Sequence, residues 1–347
     1  NLADGSPTRD PFAVNPSAPM LGAASLYPTG LPMLFVGEGD PNVAGSEDGG
    51  FLVYSLTNPD KPGRLKGVNE NASSANSAVI TSPLIADTGD AMVGIGGNGL
   101  LYTLTLNTKF DAETGKVEFP AATVEMYKTV EGSADTSVYS SLAAYGEYAY
   151  FADEAGILQR VNLNTLENVW SVNLNAGVDG AVALDIESTG EDPVLYVATT
   201  ADAEGYAHMR RFNTGSGDID WDTAVKGSVS ASPLVGQNNL GRMVLFTATN
   251  EAGGATLYAL SKDTGEIAWQ YALQNATDAS PIALYDAEGI SMVVQGDGAD
   301  LHLLDGQTGE LLDSLALDAA IIGSPAAFDN MIVVATLDGK LNGVGIQ

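Results

Sequence analysis

The residues able to do chemistry are few in this 347-residue chain. His208 and His302 are its two histidines. Neither lies near a serine elbow or at His-x-x-x-His spacing, so the sequence writes no Ser-His-Asp triad and no zinc hydrolase motif. His302, between Leu301 and Leu303, takes the place that Tyr102 and Tyr258 hold in similar segments, which marks it as structural. His208 stands at a strand start beside Met209-Arg210-Arg211 and is expected to be exposed. With no cysteine at all, thiolate nucleophiles, iron–sulfur clusters, disulfides and Cys-ligated zinc are excluded.

Carboxylates supply the one metal candidate. The stretch Asp185-Ile-Glu187-Ser-Thr-Gly-Glu-Asp192 partly follows the Asp-x-Asp-x-Asp-Gly loops that present alternate oxygens to hard cations. Thr189 replaces the third acid, and Pro193 stands where a closing acid is expected. Asp185, Glu187 and Asp192 are therefore calcium candidates, set against the simpler reading of an acidic turn on an acidic surface. Asp87 to Asp90 and Asp286 to Gly289 are shorter versions of the same turn. No cofactor is otherwise expected. Asn71 and Asn275 open glycosylation-type triplets.

These groups must be placed by strands. Leu257-Tyr-Ala-Leu-Ser-Lys-Asp-Thr-Gly-Glu-Ile-Ala-Trp269 reads as a strand, a tight turn and a second strand, with Gly265 supplying the positive φ. Leu257, Ala259, Ile267 and Trp269 share the two-residue spacing of one sheet face. The frame recurs at Leu301 to Asp313, Arg211 to Trp221, Arg160 to Trp170 and, stretched by an insertion, Leu101 to Phe119. The closing residues Phe119, Trp170, Trp221, Trp269 and Asp313 are 51, 51, 48 and 44 residues apart. Short strands on such a period predict a β-propeller with one four-stranded blade per repeat.

Ala259-Leu-Ser-Lys-Asp-Thr264-Gly265-Glu-Ile-Ala-Trp269 resembles the tryptophan-docking motif of the pyrroloquinoline-quinone (PQQ)-like propellers, Ala-x-Asp-x-x-Thr-Gly-x-x-x-Trp. Ser261 departs from the motif's Asp, whereas Asp305, Asn213 and Asn162 keep Asp or Asn. The resemblance implies that Trp170, Trp221 and Trp269 dock between neighbouring blades. The family holds both quinoprotein dehydrogenases and BamB-type assembly scaffolds. Its dehydrogenases stack the quinone on a tryptophan, hold calcium with Glu, Asn and Asp, and use a ring made by two adjacent cysteines. Here cysteine is absent and all three tryptophans stand at docking positions, so the resemblance favours a scaffold.

Counting segments gives an all-β, seven-bladed propeller of four-stranded antiparallel blades over residues 18–347, preceded by an arm over residues 1–17. The last segment offers three strands. The arm, through Phe12-Ala13-Val14, is the expected fourth, closing the fold without an open edge. A Ser-Pro or Ser-x-Pro precedes most first strands, as suits strands lining a channel. The column just before them reads Pro16, Ile80, Tyr139, Asp179, Ser230, Asp278 and Ile322. Tyr139, Asp179, Ser230 and Asp278 are its candidate ligand contacts.

Net charge is −30, from 14 Lys and Arg against 44 Asp and Glu. Binding nucleic acid or an anionic membrane needs cations that this chain lacks. The balance suits saline or extracellular surroundings and a basic protein partner. No apolar run reaches the roughly 18 residues of a membrane span. The opening Asn1-Leu-Ala-Asp reads as a mature or trimmed end. The expected role is an extracytoplasmic protein-binding scaffold. The alternatives are a PQQ- and calcium-dependent dehydrogenase, and a structural module of a larger surface or filament assembly in which the chain self-associates.

Overall fold

The computed structural model describes residues 23–28, 30, 33–38, 50–55, 63–64, 81–95, 99–106, 109–111, 116–118, 123–128, 138–186, 192–250 and 252–346. The chain divides into two compact units. One comprises Asp10–Asn173 and the other Leu174–Gln347 with Asn1–Arg9. Among the described residues there are seven antiparallel blade sheets, six of four strands and a last of three, and a single short 3-10 turn at Asn238–Leu240. The fold is thus the all-β, seven-bladed propeller class that the repeat predicts.

Blades one to three belong to the first unit. Blade one pairs Ser25–Leu26, Met33–Glu38, Gly50–Ser55 and Gly63–Arg64 in chain order. Blade two pairs Leu84–Ile85, Ala91–Ile95, Leu100–Thr105 and Thr123–Lys128. Blade three pairs Ala143–Tyr145, Tyr148–Ala152, Ile157–Asn162 and Glu167–Asn173. The middle strands of blade two, Ala91–Ile95 and Leu100–Thr105, are largely buried on both faces and lose the simple alternation of a one-sided sheet. Val93, Ile95 and Leu101 of blade two pack with Val138, Leu142, Ala149, Phe151 and Val161 of blade three in one buried cluster. Each large side chain so buried contributes about 1.5–3 kcal/mol.

Blades four to seven form the second unit. Blade four is Ala183–Asp185, Val194–Ala198, Tyr206–Asn213 and Ile219–Lys226; blade five is Leu234–Val235, Met243–Thr249, Ala255–Ser261 and Ile267–Leu273. Blade six is Ile282–Tyr285, Ser291–Asp297, Asp300–Asp305 and Leu311–Ala316, and blade seven is Ala326–Phe328, Met331–Ala335 and Leu341–Gly345. The core again lies between sheets. Leu245, Leu257 and Ala259 of blade five meet Val293 and Leu304 of blade six around Trp269. Phe12-Ala13-Val14 lies outside the described residues.

Two local departures from the sequence pattern have physical causes. In blades three to six a bulge falls beside the position opposite each closing residue: Arg160/Val161, Arg211/Phe212, Ala259/Leu260 and Leu303/Leu304. The extra residue turns the strand over. Ile267 is therefore 45% exposed while Trp269 is 8% exposed, and the two do not share a face. In blade two the fourth strand is not the segment ending at Phe119. Lys116–Glu118 pairs with Lys109–Asp111 as an inserted hairpin, and Thr123–Lys128, rich in strand-forming residues, pairs with Leu100–Thr105 over six positions.

Candidate functional site

The turn between third and fourth strands is built the same way in four blades. Leu166, Gly217, Gly265 and Gly309 each donate their N–H to the carbonyl four residues back, in Asn162, Asn213, Ser261 and Asp305. Each has positive φ: 55, 80, 72 and 70°. The residue at the head of the turn ties it with its side chain. Asn162 Oδ1 accepts from the N–H of Asn164 and Thr165, and Asp305 Oδ1 from Gln307 and Thr308. Ser261 Oγ accepts from Thr264 N at 3.3 Å. The Asp, Asn and Ser of the repeat are thus turn fasteners.

In the second unit the turns of blades five and six each carry the indole of the blade before them. Trp221 Nε1 donates to Lys262 O at 2.8 Å, and Thr223 Oγ1 donates to Gly265 O at 2.7 Å. Trp269 Nε1 donates to Gly306 O at 3.1 Å. A Cβ on Gly265 would lie 2.7 Å from Cδ2 and Cε3 of Trp221, and one on Gly309 only 2.4 Å from Cε3 of Trp269. The glycines serve twice: they take the left-handed conformation and they leave room for the ring. Trp170 lies opposite Arg160 and tilts against Tyr150 at 6.3 Å.

The seam between blades two and three is different. The residue opposite Thr103, where Trp221 and Trp269 stand opposite Arg211 and Ala259, is Glu125, and no bulge follows it. On the facing turn of blade three, the glycine position is Leu166. A cavity of about 910 Å³ opens here, walled by Ile85, Met92, Leu104 and Leu163, with Asp87 and Glu147 at its polar edge. Asn164 Nδ2 donates to Glu147 Oε2 at 2.9 Å, which with Tyr148 holds that carboxyl below the usual glutamate range. The sequence signal for this site is what the second repeat lacks at its docking position.

The candidate residues from the sequence fall as follows. Asp185 is buried and its Oδ2 accepts from Lys262 Nζ at 2.6 Å, the ammonium also donating to Gly236 O. Asp192 lies close to Gly215. Glu187 lies outside the described residues. Among the described residues no three His, Asp or Glu side chains gather as a metal-holding group. Ser230 Oγ donates to Asp179 Oδ2 at 3.2 Å, whereas Asp278 and Tyr139 are exposed. The serines preceding the first strands have a function that their recurrence alone did not disclose. Ser232, Ser280 and Ser324 Oγ accept the N–H of Ala181, Ser232 and Ser280 in the preceding blade, and Ser141 Oγ accepts that of Ser82.

Both histidines are tied to carboxylates. His208 is half-buried, not exposed as its place in the sequence suggested. Its Nδ1 lies 2.6 Å from Asp222 Oδ1 and its Nε2 3.4 Å from Asp202 Oδ2, while Arg210 Nε donates to Asp222 Oδ2 at 2.8 Å. The N–H of Tyr206 leads the donors that hold Asp202 below the usual range. His302 Nε2 lies 3.3 Å from Asp297 Oδ2, and its ring meets Tyr271 edge-on. Burial pushes the Asp297 carboxyl up. The N–H of Gln274, the side-chain amide and N–H of Asn275, and His302 together outweigh it and bring the group below the usual range. The Nδ2 of Asn275, the second glycosylation-type asparagine, is thereby engaged by Asp297 Oδ1 at 2.9 Å.

A quinone cofactor of the PQQ type would need an indole lying free as a platform. Trp221 and Trp269 have their rings on the turns of blades five and six, so these two do not fit that task. No helix among the described residues is long and apolar enough to cross a membrane.

Comparison with known proteins agrees with this architecture. The BamB of Moraxella catarrhalis superposes with a TM-score of 0.62 at 16% identity, covering 95% of this chain and 84% of that one. Sqt1 of Saccharomyces cerevisiae gives 0.67 at 12% identity, covering 95% and 83%. A europium-containing methanol dehydrogenase gives 0.51 at 14% identity over 67% of this chain and 50% of that one. At these identities the likeness is one of fold. No curated protein matches the chain in sequence. A family profile described as outer membrane protein assembly factor BamB matches residues 154–284 and 255–346, together more than half of the sequence. The repeated turn, the indole seated on it and this match agree: the chain belongs to the BamB-type family of PQQ-like repeat propellers.

Proposed function

We propose that the protein is a non-enzymatic, extracytoplasmic scaffold that binds and positions other proteins. The observation that carries this reading is the match of more than half the chain to a profile described as an assembly factor. The internal chemistry supports it. Lys262, Arg210, His208 and His302 are engaged with Asp185, Asp222, Asp202 and Asp297 and act as braces within and between blades. The charge of −30 favours a partner with a basic face.

Affinity capture from the native envelope, with mass spectrometry of what co-elutes in low and in 0.5 M salt, tests this reading. A salt-sensitive protein partner with a basic surface is the expected result. No enriched protein at either salt would count against it. So would a quinone absorbance band that survives desalting after addition of PQQ and calcium.

A further inference from the structure

The outer edges of blades four, five and six are finished differently. The fourth strand of blade four buries Val225 and half-buries Trp221 and Thr223, and that of blade five buries Trp269 and Leu273. The fourth strand of blade six, Leu311–Ala316, is exposed at all six residues, with Leu311 at 43%, Leu312 at 52% and Leu315 at 43%. Its docking position holds Asp313, so no indole seats it on a following turn, and blade seven has three strands among the described residues. The inner edge of Leu311–Ala316 pairs with Asp300–Asp305, and among the described residues no strand pairs with its outer edge. The N–H of Ser314, opposite His302, turns away from that ladder and is taken by the neighbouring Asp313 Oδ1 at 2.8 Å.

We infer that the outer edge of Leu311–Ala316 is a strand-addition site, which takes an extended segment of a partner protein with lysine or arginine set between apolar residues. The inference rests on the scaffold reading and names its docking point. A free sheet edge offers a row of backbone donors and acceptors, and a strand laid on it gains main-chain hydrogen bonds while its side chains set specificity. Natural edges are commonly guarded by lysine, proline or a covering segment. This strand has neither lysine nor proline, and its three leucines are uncovered. Charge chooses the occupant. Glu310 and Asp313 are exposed at the edge, and the whole chain carries −30. A second copy laid edge to edge would set like charge against like, whereas a basic strand brings lysine opposite Asp313. The acids of the blade-four edge are already spent in this way inside the chain: Asp220 faces Arg211 and Asp222 faces Arg210. Leu312 and Leu315, on either side of Asp313 and Ser314, call for apolar residues in the incoming strand.

The probe is a dye-labelled peptide, acetyl-Lys-Thr-Val-Thr-Lys-Val-Lys-amide, titrated by fluorescence anisotropy at 0.15 M salt. Laid antiparallel with its second threonine opposite Ser314, it sets valine against Leu315 and Leu312 and lysine against Asp313. Saturable binding is expected. N-methylation of that threonine, whose N–H faces the edge, should weaken it at least tenfold, and N-methylation of the lysine after it, whose N–H faces away, should leave it unchanged. Ser314→Pro removes the outward N–H without touching the ladder, and Leu315→Lys places a cation on the edge. Each should weaken binding at least tenfold with the thermal midpoint close to wild type. No saturable binding, equal effects of the two N-methyl groups, or undiminished binding by both variants overturns the inference. A wild-type dimer in sedimentation that Leu315→Lys splits into monomers also overturns it, by giving the edge to a second copy. In the envelope capture, a partner retained equally by wild type and Leu315→Lys overturns it and leaves the scaffold reading standing. Capture of no partner by either protein counts against the scaffold reading, and the peptide titration then judges the edge separately.

Discussion

Two seams of one repeat protein can be set side by side. Between blades five and six, Trp269 is buried to 8% exposure among Leu245, Leu257, Val293 and Leu304, and a glycine with φ of 70° lies under its ring. Between blades two and three the same turn faces a cavity, with Glu125 at the docking register and a leucine at the left-handed position. Blades two and three still share a buried cluster of Val93, Ile95, Leu101 and Phe151. The lesson is a division of labour. The deep strands and the serine links join one blade to the next, while the outer seam is a separate, optional joint. A filled joint adds stability, and at the other seam the blades are held without it.

The sharpest way to break the comparison is Trp269→Ala. Loss of a buried indole and its hydrogen bond should cost about 4 kcal/mol in chemical denaturation. A cost below 1 kcal/mol would remove the idea that the indole holds the seam. Next comes Gly265→Ala. The new methyl meets the Trp221 ring at 2.7 Å with φ at 72°, and a loss of about 3 kcal/mol is expected. Leu166→Gly, the matching change at the open seam, should stay within about 1 kcal/mol of wild type. There relief of the left-handed conformation offsets the added freedom of the unfolded chain. If the two turn substitutions cost the same, the seams are not different in kind.

The smallest expected effect sharpens how the filled side is braced. The Asp297 carboxyl is held below its ordinary value of 3.8 in the folded protein. Its contribution to stability is therefore complete above that value and disappears as pH falls through the lower, folded one. Asp297→Asn should flatten the loss of thermal stability between pH 4 and pH 2 relative to wild type. Melting curves whose acid slope is unchanged by the substitution would show that this carboxylate is not among the groups whose protonation unfolds the protein.

Much of the fold is legible because the turn is a chemical signature. Asp, Asn or Ser at its head, Thr near its centre and a residue of positive φ at its end recur in register, and the strands on either side follow. Four of the five closing residues stand where their spacing put them, opposite Arg160, Arg211, Ala259 and Leu303. Phe119 does not, because an inserted hairpin takes its segment and the true fourth strand begins at Thr123. The bulges were invisible, since a skipped residue leaves no mark on a short apolar pattern. That is why Ile267 and Trp269 read as neighbours on one face. The cavity escaped for a related reason: it is defined by a side chain that is missing, and composition shows only what is present. His208 shows the limit for polar groups. Its two carboxylate neighbours come from another strand and from a turn, and only the paired sheet brings them together.

The serine relay has a consequence for how such a molecule can change over time. Each link passes from the amide of one unit to the hydroxyl of the next, from Ala181 to Ser232, from Ser232 to Ser280 and from Ser280 to Ser324. Blades five and six each offer both ends of the link, a hydroxyl as the socket and an N–H as the plug. A duplicate of either blade would meet its neighbours with matching ends, so a copy gained or lost at this place in the chain needs no new fastening.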